Sequence, residues 1–269
     1  RRDARLRVAQ RGLDTASAEL AIRRAEVRAA VITAFFEVLT AQERLRLTQD
    51  SVELAQRATS AASRRVAAGK ISPVEETKAR VAESGVRLEL VQARSELSSA
   101  RKRLTALWGN RSPRFERAEG RISTLPELPD LPELSQRLAA SPALTRARFE
   151  VDRRQALAQL ERSRRIPDIT LSMGVKRSEE LGRNQAIVGI SVPLPLFDRN
   201  QGNILEALRR TDKAREELAA TEIRLNNELA LAYEKLWTAR QESDALQNEV
   251  LPSAESAYNA ATRGFEAGK

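Results

Sequence analysis

The residues of this 269-residue chain that could carry out acid–base chemistry are two pairs of adjacent carboxylates, Glu179-Glu180 and Glu216-Glu217. Such chemistry needs two groups whose surroundings push their pKa values apart, by burial or by a fixed neighbouring charge. The first pair lies in the polar stretch RSEELGRNQ and the second in the charged run RRTDKAREELAATEIR, where arginines and water surround both. These are solvated charges, so no catalytic residue is assigned and no enzyme activity is expected. The chain has no His, no Cys and one Met, Met173, which removes imidazole bases, thiol nucleophiles and the usual transition-metal ligand sets. Neither a cofactor nor a metal site is expected, and a cysteine-free chain leaves the redox compartment open.

Charge and composition narrow the partners. The formal charge is +9, yet basic and acidic residues alternate along the whole length, as in RRAEVRAA, and no block of five like charges occurs. That pattern is a solvated helix face, and no nucleic-acid partner is expected. Aromatic residues make up 4% of the chain while Ala, Leu, Arg and Glu abound, which favours long helices packed through small side chains. The opening RRDARLRVAQ has no apolar leader core, and no run of 18 apolar residues exists for a membrane helix.

The elements are read from periodicity. From Gly12 to Gly69 no Gly or Pro intervenes, which allows a helix of some 55 residues, roughly 80 Å at 1.5 Å per residue. Leu6, Leu13, Leu20 and Val27 recur at sevens; after a slip of four, Val31, Val38, Leu45, Val52 and Val66 continue, shadowed by Ala34, Ala41, Thr48, Ala55 and Ala62. A second helix runs from about Pro73 to Trp108, its stripe formed by Leu90, Leu97 and Leu104 with Ala93, Ala100 and Leu107. The two must lie antiparallel. Between them VAAGKISPVE specifies a tight tip: Gly69 can take the left-handed helix-ending conformation, Ser72 caps, Pro73 fills the first helical position, and Glu75 can reach back to the cap.

The tip recurs. Shifting the chain by 198 positions lays Asp14, Glu19, Leu20, Ala34 and Ala41 on Asp212, Glu217, Leu218, Ala232 and Ala239; one inserted residue later, a shift of 199 lays Leu47, Ala62, Arg64, Gly69 and Lys70 on Leu246, Ala261, Arg263, Gly268 and Lys269. The ordered series ending in the same AGK is an internal duplication. Between the copies, Pro126, Pro129 and Pro132 mark a connector, and a shorter helix follows from Ser141-Pro142 to about Arg165. Then the period drops to two. In DITLSMGVK and AIVGISVPLPLF, Ile169, Leu171, Met173, Val175, Val188, Ile190 and Val192 alternate with polar or small residues, giving two strands of about ten residues joined as a hairpin. A sheet packed on soluble helices would alternate in the same way. Neighbouring helices this long and thin offer it no core, whereas tilted strands of this length cross a bilayer.

The order strand, polar loop, strand ending VPLPLFDRNQGNI, long Ala-rich helix, glycine tip and returning helix ending LTALWG resembles the outer-membrane factor family typified by TolC; PDITLSMGV and VGISVPLPLFDRNQGNI resemble its CzcC branch, which serves heavy-metal efflux. The resemblance covers essentially the whole chain, and the hairpin with its exit is the specific part. It implies a mainly α fold: long antiparallel coiled-coil hairpins forming the α-barrel of a homotrimer, with the β-hairpin contributing to a transmembrane β-barrel. On this reading residues 1–112 are the first helical hairpin, 113–166 an equatorial connector with a short helix, 167–198 the membrane hairpin, and 199–269 the second long helix. The first strand pair would precede Arg1 and the last returning helix would follow Lys269. The resemblance also implies a passive duct of a tripartite RND-type pump in the outer membrane, with a large periplasmic portion. Its partners would be a periplasmic adaptor, an inner-membrane transporter and outer-membrane lipid. Gly69, Lys70, Ile71, Ser72, Gly268 and Lys269 would form the adaptor-docking tip, and the seven apolar strand residues would face lipid. An adaptor protein would instead show compact β-domains flanking one hairpin. Heavy-metal cations are the expected cargo, with an organic compound the alternative.

Overall fold

The computed structural model describes residues 2–122, 127–178, 182–194 and 197–266, with the backbone alone at 177–178, 183, 185 and 264–266. In chain order the elements are α1 (Arg2–Ala67), α2 (Pro73–Ala106), α3 (Leu131–Ala139), α4 (Pro142–Arg164), β1 (Thr170–Ser178), β2 (Arg183–Ser191), α5 (Gln201–Ala245), a π-helical turn (Leu246–Val250) and α6 (Leu251–Glu266). They form two compact units, Arg23–Glu127 and Arg1–Ile22 with Leu128–Lys269.

Residues 23–127 are the hairpin of α1 and α2. α1 runs through Gly12 and reaches 66 residues, about 100 Å long. Ser63 meets Glu76, Arg44 lies 3.2 Å from Glu96, and Glu37 lies 3.1 Å from Arg103, so residues later in α1 meet residues earlier in α2. The helices are antiparallel, as their patterns require. Every third or fourth residue from Val31 to Val66 and from Glu76 to Leu104 is buried or half-buried, the signature of a continuous seam. Its apolar heart is far from the tip, where Val38, Leu39, Leu97, Ala100 and Leu104 are buried together. Each large side chain there contributes about 1.5–3 kcal/mol by leaving water.

Leu107 departs from its expected place in the α2 stripe: it follows the last helical residue and is 39% exposed. The helix stops because Gly109 takes φ +78° and the Gly109 and Asn110 N–H groups bond back to the Ala106 and Thr105 carbonyls. The chain then returns to the seam. Phe115 and Ala118 pack on it, and the Gln42 amide both donates to the Ala118 carbonyl (3.0 Å) and accepts from the Ala118 N–H (2.8 Å).

In the other unit α4 packs on α5, burying Leu144, Val151 and Ala158 at intervals of seven, with Thr211 and Ala214 buried on α5. Along the start of α1 the buried stripe is Ala4 and Ala18, which share a face with Arg11, 3.9 Å from Asp152 of α4. The expected Leu6, Leu13, Leu20 and Val27 stripe is exposed instead. Small alanines permit the close approach, and the leucines are left for another surface. α3 was not expected: Pro132 sits in its first turn, where a missing N–H costs nothing, so the residue read as a breaker is a start.

The second long helix is continuous apart from its π turn, which begins at Leu246, a few residues after the internal match has shifted from 198 to 199 positions. One residue inserted into an α-helix rotates everything after it by about 100°; a π turn absorbs the residue in place and keeps the downstream faces in phase. Pro252, two residues beyond, has no N–H for the carbonyl one turn back, which favours the rearrangement there.

Candidate functional site

Two places were singled out by sequence, the helical tip and the strand hairpin. At the tip Gly69 has φ +69°, the Gly69 N–H donates to the Val66 carbonyl (2.9 Å), and the Lys70 N–H donates to the Arg65 carbonyl (2.9 Å). This is the paired ending that needs a left-handed residue, and glycine takes it without strain. Ser72, extended at ψ 146°, accepts from the Val74 N–H (3.3 Å), and Pro73 occupies the first turn. Glu75 does not reach back to the cap; its carboxylate takes Lys78 at 2.8 Å. Gly69, Lys70 and Ser72 are exposed and Ile71 is half-buried, so a four-residue patch stands open at the turn. Gly268 and Lys269 lie outside the described residues.

The seam changes character as it approaches this tip. Thr59 takes a seam position between Val52 and Val66, and its hydroxyl is buried without a hydrogen-bond partner. Across from it α2 presents Glu76 and Glu83 at seam positions, each held by the arginine one turn on, Arg80 and Arg87. Ser63 of α1 donates to Glu76, and that hydrogen bond, seconded by Arg80, holds the Glu76 carboxyl below the usual carboxylate range. The α1–α2 contact is built on buried large apolar residues at its far end, while near the tip polar Thr59, Glu76 and Glu83 alternate with Ala62, Val66, Ala79 and Val86. Sequence reading found the tip but missed this gradient, because Glu76 and Glu83 look like surface charge until the α2 phase is fixed.

The strands pair antiparallel over nine residues each, with Leu171 opposite Ile190, Met173 opposite Val188 and Ser172 opposite Gly189. Since side chains alternate faces, Leu171, Met173, Val175, Val188 and Ile190 share one face; Ile169 and Val192, just beyond the strand ends, continue the same alternation. Thr170, Ser172, Gly174, Gly189 and Ser191 share the other, together with Ile187, which interrupts that small and polar row. All seven singled-out residues are exposed, from Val192 at 46% to Met173 at 83%.

The hairpin exit is fixed by a network that sequence patterning did not reveal. Asn200 adopts φ 61°, its amide donates to both the backbone carbonyl and the carboxylate of Glu161 on α4 (2.9 Å each), and Asn203 donates to Asn200 (2.6 Å). The polar run DRNQGN after PLPLF was its signal. Among the described residues no group of His, Cys, Asp or Glu is arranged to hold a metal ion, and no helix is long and apolar enough to cross a membrane.

The family described as "Outer membrane efflux protein" matches residues 1–110 and 134–269. The cobalt-zinc-cadmium resistance protein CzcC of Cupriavidus metallidurans is 52% identical over 269 residues, covering all of this chain and 64% of that protein. A membrane protein from Pseudomonas aeruginosa aligns with TM-score 0.80 and 22% identity over 97% of this chain and 63% of its own. The CmeC outer membrane channel of Campylobacter jejuni aligns with TM-score 0.79 and 18% identity over 99% of this chain and 59% of its own. The chain spans less than two thirds of each of these proteins, and the likeness to the two solved structures is one of fold.

Proposed function

Because the chain belongs to the outer membrane efflux protein family, we propose that it is part of the outer-membrane duct of a tripartite export pump, conducting heavy-metal cations passively from the periplasm outward. The cargo is inferred from the similarity to CzcC, which places cobalt, zinc and cadmium ions first, with organic compounds as the alternative. The duct performs no chemistry. Its partners are two further copies of itself, a periplasmic adaptor, an inner-membrane RND transporter and outer-membrane lipid. The four-part division of the chain at 112, 166 and 198 follows from the same reading.

The observation that carries it is the strand register: five exposed apolar residues share one face of a hairpin of two nine-residue strands, Ile169 and Val192 continue that row just beyond the strand ends, and the other face is largely small and polar. A hairpin of that length and pattern suits one wall of a membrane barrel, with lipid on the apolar side and water on the other. Placing the other row outward would bring Lys176 against hydrocarbon, at roughly 2–4 kcal/mol at mid-membrane and less near the interface. The exposed stripe of Leu6, Leu13, Leu20 and Val27 is then the surface a neighbouring copy covers. Gly69, Lys70, Ile71 and Ser72, with the repeat Gly268 and Lys269, form the adaptor-docking end, where the partly polar seam parts more readily than the apolar one.

The test is a chromosomal deletion complemented with the intact gene. Complementation restores growth on zinc, cobalt or cadmium, and the protein leaves the outer membrane only with detergent. Release by salt alone, or unchanged metal tolerance in the deletion strain, contradicts the proposal.

A further inference from the structure

We propose that the base of the strand hairpin carries a binding groove for an anionic phospholipid, with Arg165 and Arg199 holding the headgroup phosphate over an apolar floor of Phe197, Ile204, Leu205 and Leu208. These six residues, together with Gln201, line one open groove of about 580 Å³. Ile204, Leu205 and Leu208 follow one another at the spacing that puts them on one face of α5, and Phe197 extends the row in front of that helix. Phe197 is 93% exposed.

The charge is the discriminating feature. Most arginines on neighbouring turns are engaged by carboxylates, Arg153 and Arg154 by Glu150, Arg164 by Glu161, Arg209 by Asp212 and Arg210 by Glu206; Arg162 holds no ion pair among the described residues but does not line the groove. Arg165 and Arg199 hold no ion pair among the described residues, and Asp198 between Phe197 and Arg199 accepts from the Asn200 N–H instead (2.9 Å). Two guanidinium groups beside an apolar floor are complementary to a phosphodiester with an acyl chain. Guanidinium recognises phosphate through paired N–H donors, and the floor takes methylene groups out of water.

Position selects a membrane lipid as the occupant. Arg165 lies five residues before the first residue of β1 and Phe197 six after the last of β2, so both stand where the chain enters and leaves the hairpin. Ile166 and Leu194, which flank the hairpin on its two sides, are exposed and apolar as well. In a barrel wall this is the depth of the headgroup layer, where aromatic residues form a girdle and cations meet lipid phosphates. The inference rests on the outer-membrane reading and adds to it a named lipid class and site.

The test uses the intact full-length protein reconstituted in phosphatidylcholine nanodiscs containing either spin-labelled phosphatidylglycerol or spin-labelled phosphatidylcholine. The wild type is expected to immobilise phosphatidylglycerol over phosphatidylcholine with a preference of about thirtyfold, the scale two arginines near an anionic headgroup supply. Arg165→Gln with Arg199→Gln should bring the preference close to one, while Arg209→Gln leaves it unchanged. If the double glutamine variant fails to insert, Arg165→Lys with Arg199→Lys keeps the charge without the fork and should retain part of the preference. Equal immobilisation of both lipids by the wild type overturns the proposal. So does a photo-crosslinker at Leu205 that captures a neighbouring protomer and no lipid. A nitroxide at Met173 separates the two levels: if it senses lipid while the groove shows no preference, the groove alone is refuted; if it senses only water, the membrane reading falls with it.

Discussion

Replacing Gly69 with Val tests the tip through one backbone torsion. A Cβ built on Gly69 meets nothing within 4 Å, so no clash accompanies the change. The cost is conformational: φ +69° is a left-handed position that costs an ordinary L-residue about 1–2 kcal/mol, and more when it is β-branched. Leaving that conformation instead breaks the Gly69→Val66 and Lys70→Arg65 bonds, each worth about 0.5–1.5 kcal/mol where water can replace them. The variant takes the cheaper of the two routes, so the local loss is about 2 kcal/mol, confined to the turn, while the seam around Val38 and Leu97 is untouched. Gly69→Asn, which tolerates the left-handed region, should stay near wild type. Hydrogen exchange on the intact protein reads the result: amides of residues 66–76 should exchange at least tenfold faster in the valine variant, with α2 beyond Leu90 unchanged. Outer-membrane abundance and trimer formation should hold while metal resistance and crosslinking to the adaptor fall. If the turn amides exchange faster and resistance and crosslinking stay at wild-type levels, the tip is only a connection between helices.

Three further outcomes are expected. Thr59→Val removes a buried hydroxyl that has no partner and should stabilise the tip half of the hairpin by about 1 kcal/mol, read by hydrogen exchange near residue 59. The Glu76 carboxyl, held low first by Ser63 and then by Arg80, contributes stability that is present above the unfolded carboxylate value of about 4.3 and lost as pH falls through its lowered value. Acid should thus loosen residues 59–80 before the rest of the hairpin, and Glu76→Gln should remove that pH dependence. Deleting Asn248 from the π turn should leave an uninterrupted α-helix in the register of the first repeat with trimer yield retained, whereas deleting one residue near Leu225 should turn all downstream faces by about 100° and abolish assembly.

What could be read in advance was what repeats with a short period. The valines of α1 and the leucines of α2 recur at helical spacing, and Leu171, Met173, Val188 and Ile190 alternate, because one partner surface acts on each element along its length. The α3 helix escaped because Pro132 looks the same in sequence whether it ends a helix or opens one. The shift from 198 to 199 positions was visible, but a string of letters does not say whether an extra residue becomes a loop or a π turn. The Gln42–Ala118 and Asn200–Glu161 contacts join residues 76 and 39 positions apart, and no local pattern announces such pairs. The exposed leucines at the start of α1 show the converse: a heptad marks a surface that wants covering without saying what covers it.

The most direct measurement of the central claim is nitroxide accessibility on the intact protein in outer-membrane vesicles, with labels placed singly at Met173 and Val188 and at Ser172 and Gly189. If this hairpin is a wall of an outer-membrane duct, labels at 173 and 188 relax with oxygen dissolved in lipid, while labels at 172 and 189 relax with a water-soluble nickel chelate. Both rows responding to the chelate alone, or both to oxygen alone, would contradict that claim.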